Sequence, residues 1–365
     1  MVALRLIVTY ARLLVHNIAS SNHPLNVLNS LITVPEIADL HSIILVLIVV
    51  VGLALLTYGG DFLARGGASL AMNMDVSPVV IGLTVVSIAT SMPEFFAVIV
   101  AAIDGNSEMA IGNILGSNLG NIGLIMGMTA IIYPVFIHNR LILKEMPILL
   151  AATIVFTAVA VDQHLSRLDG ILLVLGMVGY LYYMVKSARG GETEIVQEAL
   201  VDIPKPVRST WASLVFVIIG AVMLGAGAQF LVGSAVELAV RIGISQSLIG
   251  LTLVALGTSL PELAASVAAA RRKESGLSAG NIVGSNIFNL LFVGGGVAII
   301  SPFSVGASLF QIEFPAMMLM TALLWLIYTT DKKVTRLEGI VLLLIYITII
   351  ALSAIANIER YQSFV

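Results

Sequence analysis

Gly82-Leu-Thr-Val-Val-Ser-Ile-Ala-Thr-Ser-Met-Pro-Glu94 recurs, little changed, as Gly250-Leu-Thr-Leu-Val-Ala-Leu-Gly-Thr-Ser-Leu-Pro-Glu262. A second stretch, Gly112-Asn-Ile-Leu-Gly-Ser-Asn-Leu-Gly-Asn121, recurs as Gly280-Asn-Ile-Val-Gly-Ser-Asn-Ile-Phe-Asn289. Both pairs lie at one offset of 168 residues, the separation of Glu94 from Glu262, and the alignment runs without a gap. The chain is a duplicated unit.

Composition says what is duplicated. Of 365 residues, 59% are hydrophobic and 11% charged, against about 25% charged in a soluble domain. Ten stretches are long enough to cross a hydrocarbon layer, which takes roughly 20 residues. They fall near 42–64, 78–102, 109–133, 146–162, 169–187, 211–234, 246–270, 277–300, 311–329 and 336–356. They are rich in Leu, Ile, Val, Ala and Gly without polar alternation, which predicts helices and not barrel strands. A formal charge of −3 gives no reason to expect a nucleic-acid partner, and nothing points to an obligatory protein partner beyond the lipid bilayer. With no cysteine, disulfides, thiolate metal sites and cysteine nucleophiles are excluded.

The longest polar interruption, about Ser187 to Thr210, falls after five segments and before the other five. The expected organisation is an N-terminal extension (1–41), a first repeat (42–187), a linker (188–210), a second repeat (211–356) and a tail (357–365). Five is odd, so the second half enters the membrane upside down relative to the first. The predicted fold is an all-α polytopic membrane protein of ten transmembrane helices in two inverted five-helix repeats. In such architectures the substrate binds near the midplane, where the repeats meet. Thirteen of the 18 basic residues collect on the side that holds the linker, which predicts a cytoplasmic linker and both termini outside. Residues 1–41 fit no span: a signal peptide without a convincing small-residue cleavage site, a surface helix and a misassigned start codon all stay open.

The repeated residues indicate a chemistry. Glu94 and Glu262 stand in apolar segments with no basic residue of their own. A carboxylate at a helix centre costs about 2.5–3.5 kcal/mol on insertion scales. One alternative is a glutamate kept protonated or hydrogen-bonded across helices, but the same expense is met twice at symmetric positions. Two facing carboxylates repel, and a divalent cation between them neutralises both. Thr90, Ser91, Thr258 and Ser259 lie three and four residues before each glutamate and share its helix face. Ser117, Asn118 and Asn121 repeat as Ser285, Asn286 and Asn289. This oxygen-only supply, without histidine or sulfur, suits Ca²⁺ or Na⁺ and argues against Zn²⁺ or Cu²⁺. Pro93 and Pro261 would free the carbonyls of Ala89 and Gly257 as further ligands. Gly112 and Gly116, like Gly280 and Gly284, form small-xxx-small patterns for close helix packing. The asparagines admit two roles: Asn113 and Asn281 bridging helices, Asn121 and Asn289 lining an ion path. Asp61, Glu145, Glu237 and Glu313 sit at segment ends, where interfacial solvation is expected.

The paired Thr-Ser-x-Pro-Glu and Gly-Asn-x-x-Gly-Ser-Asn motifs resemble those of the cation/Ca²⁺ exchanger superfamily, in particular bacterial and archaeal Na⁺/Ca²⁺ exchangers, over roughly residues 42–356. That resemblance implies an antiporter of the inner (plasma) membrane, not an enzyme, with transported ions and no cofactor. It implies that Glu94, Glu262, Thr90 and Thr258 bind Ca²⁺, and that Ser87 and Ala255 offer backbone carbonyls to Na⁺. Ser91, Ser259, Ser117 and Ser285 match Na⁺-site hydroxyls, and Asn121 and Asn289 the remaining central polar positions. Two departures stand out. Ala89 replaces a usual glycine, and Asn289 replaces a frequent aspartate, which argues against a K⁺ requirement. The rival on the same scaffold is Ca²⁺/H⁺ exchange, with protons loading the glutamates. An intramembrane hydrolase lacks its paired aspartates, Ser–His or zinc constellation here, and a channel leaves one acid per inverted half unexplained.

Overall fold

The computed structural model describes residues 42–103, 105, 107–189, 209–241, 257 and 259–363. The N-terminal extension, most of the linker, the first part of the expected seventh span, Ala255 and Thr258 lie outside the described residues. Among the described residues, nine helices are long and apolar enough to cross a membrane. In chain order the helices are α1 (Ser42–Asn73), α2 (Pro78–Ile103), α3 (Ser107–Ile132), α4 (Leu141–Ala160) and α5 (Arg167–Arg189) in the first half. The second half has α6 (Thr210–Arg241), α7 (Leu260–Arg271), α8 (Ser275–Ile300), α9 (Glu313–Thr330) and α10 (Arg336–Ser363). The chain is an all-α polytopic membrane protein.

α1 and α6 pack antiparallel through small residues spaced every seven positions. Gly52, Gly59 and Gly66 on one face Gly227, Gly220 and Ser213 on the other. The approach is close: a β-carbon on Gly220 would lie 2.6 Å from Leu63 N, so only glycine fits. Seven residues are two helical turns, which keeps the small residues on one stripe. The same device recurs at mirrored places, where Gly127 on α3 meets the Gly339 carbonyl on α10 and Gly295 on α8 meets the Gly170 carbonyl on α5.

α2, α3, α7 and α8 form the centre. Every residue of α8 from Ser275 to Leu291 is buried, as expected for a helix that is apolar or small all round. Its Gly280 and Gly284 abut the backbone of α2: β-carbons there would meet Val79 O at 2.7 Å and Leu83 O at 2.6 Å. The repeat counterparts of Val79 and Leu83, residues 247 and 251, lie outside the described residues, so the equivalent packing of Gly112 and Gly116 does too. A π-helical turn interrupts α3 from Asn121 to Met126, and another interrupts α8 from Asn289 to Val293. Both begin on a repeated asparagine.

Two small antiparallel ribbons tie the halves together. β1 (Val135–Phe136), after α3, pairs with β4 (Lys333–Val334), before α10. β2 (His164–Leu165), after α4, pairs with β3 (Phe303–Ser304), after α8. The 168-residue offset carries Val135 onto Phe303 and Leu165 onto Lys333, so each ribbon is the image of the other. β1 and β2 lie at opposite ends of α4. The images therefore occupy opposite membrane faces, as inverted repeats require.

Glu145 departs from expectation. It is not solvated at an interface: α4 begins at Leu141 with a π-helical turn that carries Glu145 inward, and its side chain is fully buried. Arg140 compensates the charge, its Nε donating to Glu145 Oε1 at 3.0 Å. Trp325 Nε1 donates to the Ile142 carbonyl of the same turn at 3.0 Å, taking up an acceptor that irregular backbone exposes. Asp61 lies within α1, which runs on past residue 64 to Asn73, and pairs with Arg65 and Arg272.

Candidate functional site

Glu94 and Glu262 meet where α2 and α7 cross, each at most 2% exposed. Pro93 lies inside α2, whereas Pro261 lies in the first turn of α7, where a missing N–H is harmless. Glu262 thus sits in the first turn of its helix, the end whose unpaired N–H groups favour a carboxylate. Ser91 Oγ on α2 donates to Glu262 Oε1 at 2.8 Å. The Thr90 hydroxyl and the Glu94 carboxyl group also lie close to the Glu262 carboxyl group.

The rest of the shell comes from α3 and α8. Thr90 Oγ1 donates to Asn281 Oδ1 at 3.2 Å, and Asn121 Nδ2 donates to Asn286 Oδ1 at 3.2 Å, two contacts that join the halves. Ser87 Oγ donates to the Leu83 carbonyl at 2.9 Å, and the Ser87 carbonyl faces Thr90 Oγ1 at 3.3 Å. Ser117, Ser285, Asn289 and Ser259 are all buried. Of the expected site residues, Thr258 and Ala255 lie outside the described residues.

Several buried polar atoms here have no partner among the described residues: Glu94 Oε2, Glu262 Oε2, Asn121 Oδ1, Ser285 Oγ and both amide atoms of Asn289. Unpaired buried oxygens cost about 1–3 kcal/mol each. None of them is sulfur or imidazole, and oxygens of this kind suit a hard cation. Among the described residues no group of three or more His, Cys, Asp or Glu is placed to hold a metal ion.

Sequence reasoning passed over Ser266, whose Oγ accepts from Asn281 Nδ2 at 3.0 Å. Its repeat counterpart is Val98, so comparing the two halves hides it. Asn281 does bridge helices, from α8 to both α2 and α7.

Inverted repeats that meet at a buried acidic centre define a secondary transporter. Residues 44–186 and 212–355 match the sodium/calcium exchanger protein family, and the chain belongs to it. It is 39% identical over 304 residues to the putative antiporter CaxA of Alkalimonas amylolytica, covering 82% of this chain and 95% of that one. It is 35% identical over 282 residues to the inner membrane protein YrbG of Escherichia coli, covering 75% and 85%. A solved structure of the sodium-calcium exchanger NCX_Mj, soaked with 10 mM Na⁺ and zero Ca²⁺, superposes with a TM-score of 0.74 at 33% identity. That match covers 85% of this chain and 99% of NCX_Mj.

Proposed function

We propose that the protein is a secondary active antiporter that exchanges Ca²⁺ for Na⁺ by alternating access, with Glu94 and Glu262 as the shared cation ligands. The observation that carries this reading is the contact of one glutamate from each inverted half, inside a shell of neutral oxygens. Thr90, Ser91 and the Ser87 carbonyl from α2, Ser117 and Asn121 from α3, and Ser285 and Asn289 from α8 complete the donor set, with Ser259, Thr258 and Ala255 as second-half counterparts. One Ca²⁺ cancels the −2 of the two glutamates, whereas three Na⁺ leave +1. Exchange at that ratio moves net charge and responds to voltage by about 2.3 kcal/mol per 100 mV for each elementary charge.

The chemistry is positional. Neutral oxygens replace the ion's hydration shell, and no bond is made or broken in the protein. The two halves, 42–187 and 211–356, act as the units that rock about the site. The excess of basic residues places the 188–210 linker in the cytoplasm and both termini outside.

Flux into proteoliposomes, with Na⁺ and pH gradients imposed separately, tests the coupling. Na⁺-driven Ca²⁺ uptake that an imposed potential speeds or slows is expected. Voltage-insensitive uptake that needs a pH gradient and ignores Na⁺ would favour proton coupling instead. Cysteines introduced into the cysteine-free chain test the orientation: a linker cysteine labelled from outside by an impermeant reagent would reverse it.

A further inference from the structure

The two ribbons are structural images with opposite charge. On the linker side β1 pairs with β4, Phe136 against Lys333, and α10 starts two residues after β4. Segments 132–145 and 330–338 build this ribbon and its flanks. With histidine counted as neutral, they carry Arg140, Lys144, Lys332, Lys333 and Arg336 against Asp331, Glu145 and Glu338, a formal +2. The image segments, 300–313 and 162–170, carry Arg167 against Asp162, Asp169 and Glu313, a formal −2. His164, Leu165 and Leu168 stand where the linker-side ribbon has Lys332, Lys333 and Arg336. Both ribbons form, so the pairing itself does not require these three cations.

The neighbouring charge is largely spent. Arg140 is bound to Glu145, and Glu338 accepts from the Thr335 N–H at 2.8 Å and from its hydroxyl at 2.7 Å, capping α10. Lys332, Lys333 and Arg336 have no ion-pair partner among the described residues. Lys332 and Arg336 are exposed, and Lys333 is half-buried. Beside them Phe136 is 57% and Leu337 70% exposed. The image ribbon has Ser304 in place of Phe136 and Asp169 in place of Leu337. The linker-side ribbon lies where α3, α9 and α10 leave the bilayer, the depth at which acyl chains give way to headgroups. Cations beside exposed apolar side chains at that depth complement an amphiphile with an anionic head: the phosphate meets the cations, and the chains cover Phe136 and Leu337. A soluble anion would leave the apolar pair uncovered.

We propose that the linker-side ribbon is a docking site for an anionic phospholipid, held by Lys332, Lys333 and Arg336. The image ribbon, with its acids, repels the same headgroup, which confines the binding to one membrane face.

Native mass spectrometry of the purified full chain, titrated with phosphatidylglycerol or phosphatidylcholine, tests this by counting bound lipid. The native protein should retain phosphatidylglycerol in preference to phosphatidylcholine. Changing Lys332, Lys333 and Arg336 together to glutamine should weaken phosphatidylglycerol binding about fivefold for each charge removed and leave phosphatidylcholine binding as it was. Lys332→Arg with Lys333→Arg and Arg336→Lys keeps the charge and should keep the native affinity. Lys186→Gln removes an exposed cation of the same face at the end of α5, and should change the affinity less than about twofold because salt screens it from the ribbon. Should the triple glutamine variant not fold, Lys332→Gln alone, at an exposed turn position, carries the same expectation of about fivefold. Three results overturn the proposal. A native protein without lipid preference would leave the cations to another occupant, such as the acids of the linker. An equal loss in Lys186→Gln would mean a diffuse field of the whole face. Displacement of the lipid by millimolar inorganic phosphate would make the ligand a soluble anion.

Discussion

Asn118 and Asn286 occupy the same place in the two repeats, yet Asn118 donates to Ile114 O of its own helix at 2.8 Å while Asn286 accepts from Asn121 across the interface. Glu145 and Glu313 are likewise repeat counterparts. Glu145 is fully buried against Arg140, whereas Glu313 is half-buried and accepts from the Ser353 hydroxyl. Duplication fixed where polar groups stand; for the acids an unduplicated neighbour decides what each one binds, whereas the asparagines differ although Asn121, the partner of Asn286, is itself repeated as Asn289. Position 140 is arginine, but its counterpart 308 is serine. Position 266 is serine, but its counterpart 98 is valine. Symmetry therefore predicts the location of the site better than its internal hydrogen bonding.

The sharpest way to break the comparison is to neutralise each glutamate in turn. If the halves contribute equally to the cation, Glu94→Gln and Glu262→Gln each weaken Ca²⁺ binding at least about a hundredfold and abolish exchange. Isothermal titration and flux on the same preparations measure both. A variant that keeps near-native Ca²⁺ affinity would show that the site belongs to one half alone.

A smaller effect separates the two peripheral acids. Glu145→Gln leaves the Arg140 guanidinium, 5% exposed, without its counter-ion, and breaking a buried pair costs about 3–5 kcal/mol. Glu313→Gln removes one hydrogen bond at a half-buried position, worth about 1 kcal/mol. Thermal unfolding in detergent should show a clearly larger fall in Tm for the first. Equal shifts would mean that Arg140 finds another partner when Glu145 is neutral.

The fold was largely legible because bilayer physics leaves few options: long apolar segments become helices, and an odd number per repeat forces inversion. That Glu94 and Glu262 come together, with Ser91 beside Glu262, was legible because the repeat printed both acids and their serines twice. Three features were not. Ser266 has no counterpart. The π-helical turn that draws Glu145 inward has no compositional mark, so its acid read as interfacial. The seven-residue glycine stripe joining α1 to α6 needs both helices in view, since Gly52, Gly59 and Gly66 alone do not say which surface they meet.

The smallest effect concerns Glu274, in the turn between α7 and α8, whose counterpart in the first half is Asn106. Burial pushes its carboxyl group up to about 7, against the opposing pull of Arg272. Asp61 pairs with that same arginine, and His138, held low by burial, packs against Gly276 nearby. The sign follows from proton counting. Between the ordinary carboxyl value near 4.5 and about 7, the folded protein binds more protons here than the unfolded chain. Stability therefore falls as pH rises through that window, and the loss is complete above it. Glu274→Gln removes the titration, so its Tm should match the native protein near pH 4.5 and exceed it at pH 8. Thermal scans of both proteins at the two pH values measure the difference. A glutamine variant less stable than native at pH 8 would mean that the attraction to Arg272 outweighs burial, and that this junction is held by its charge.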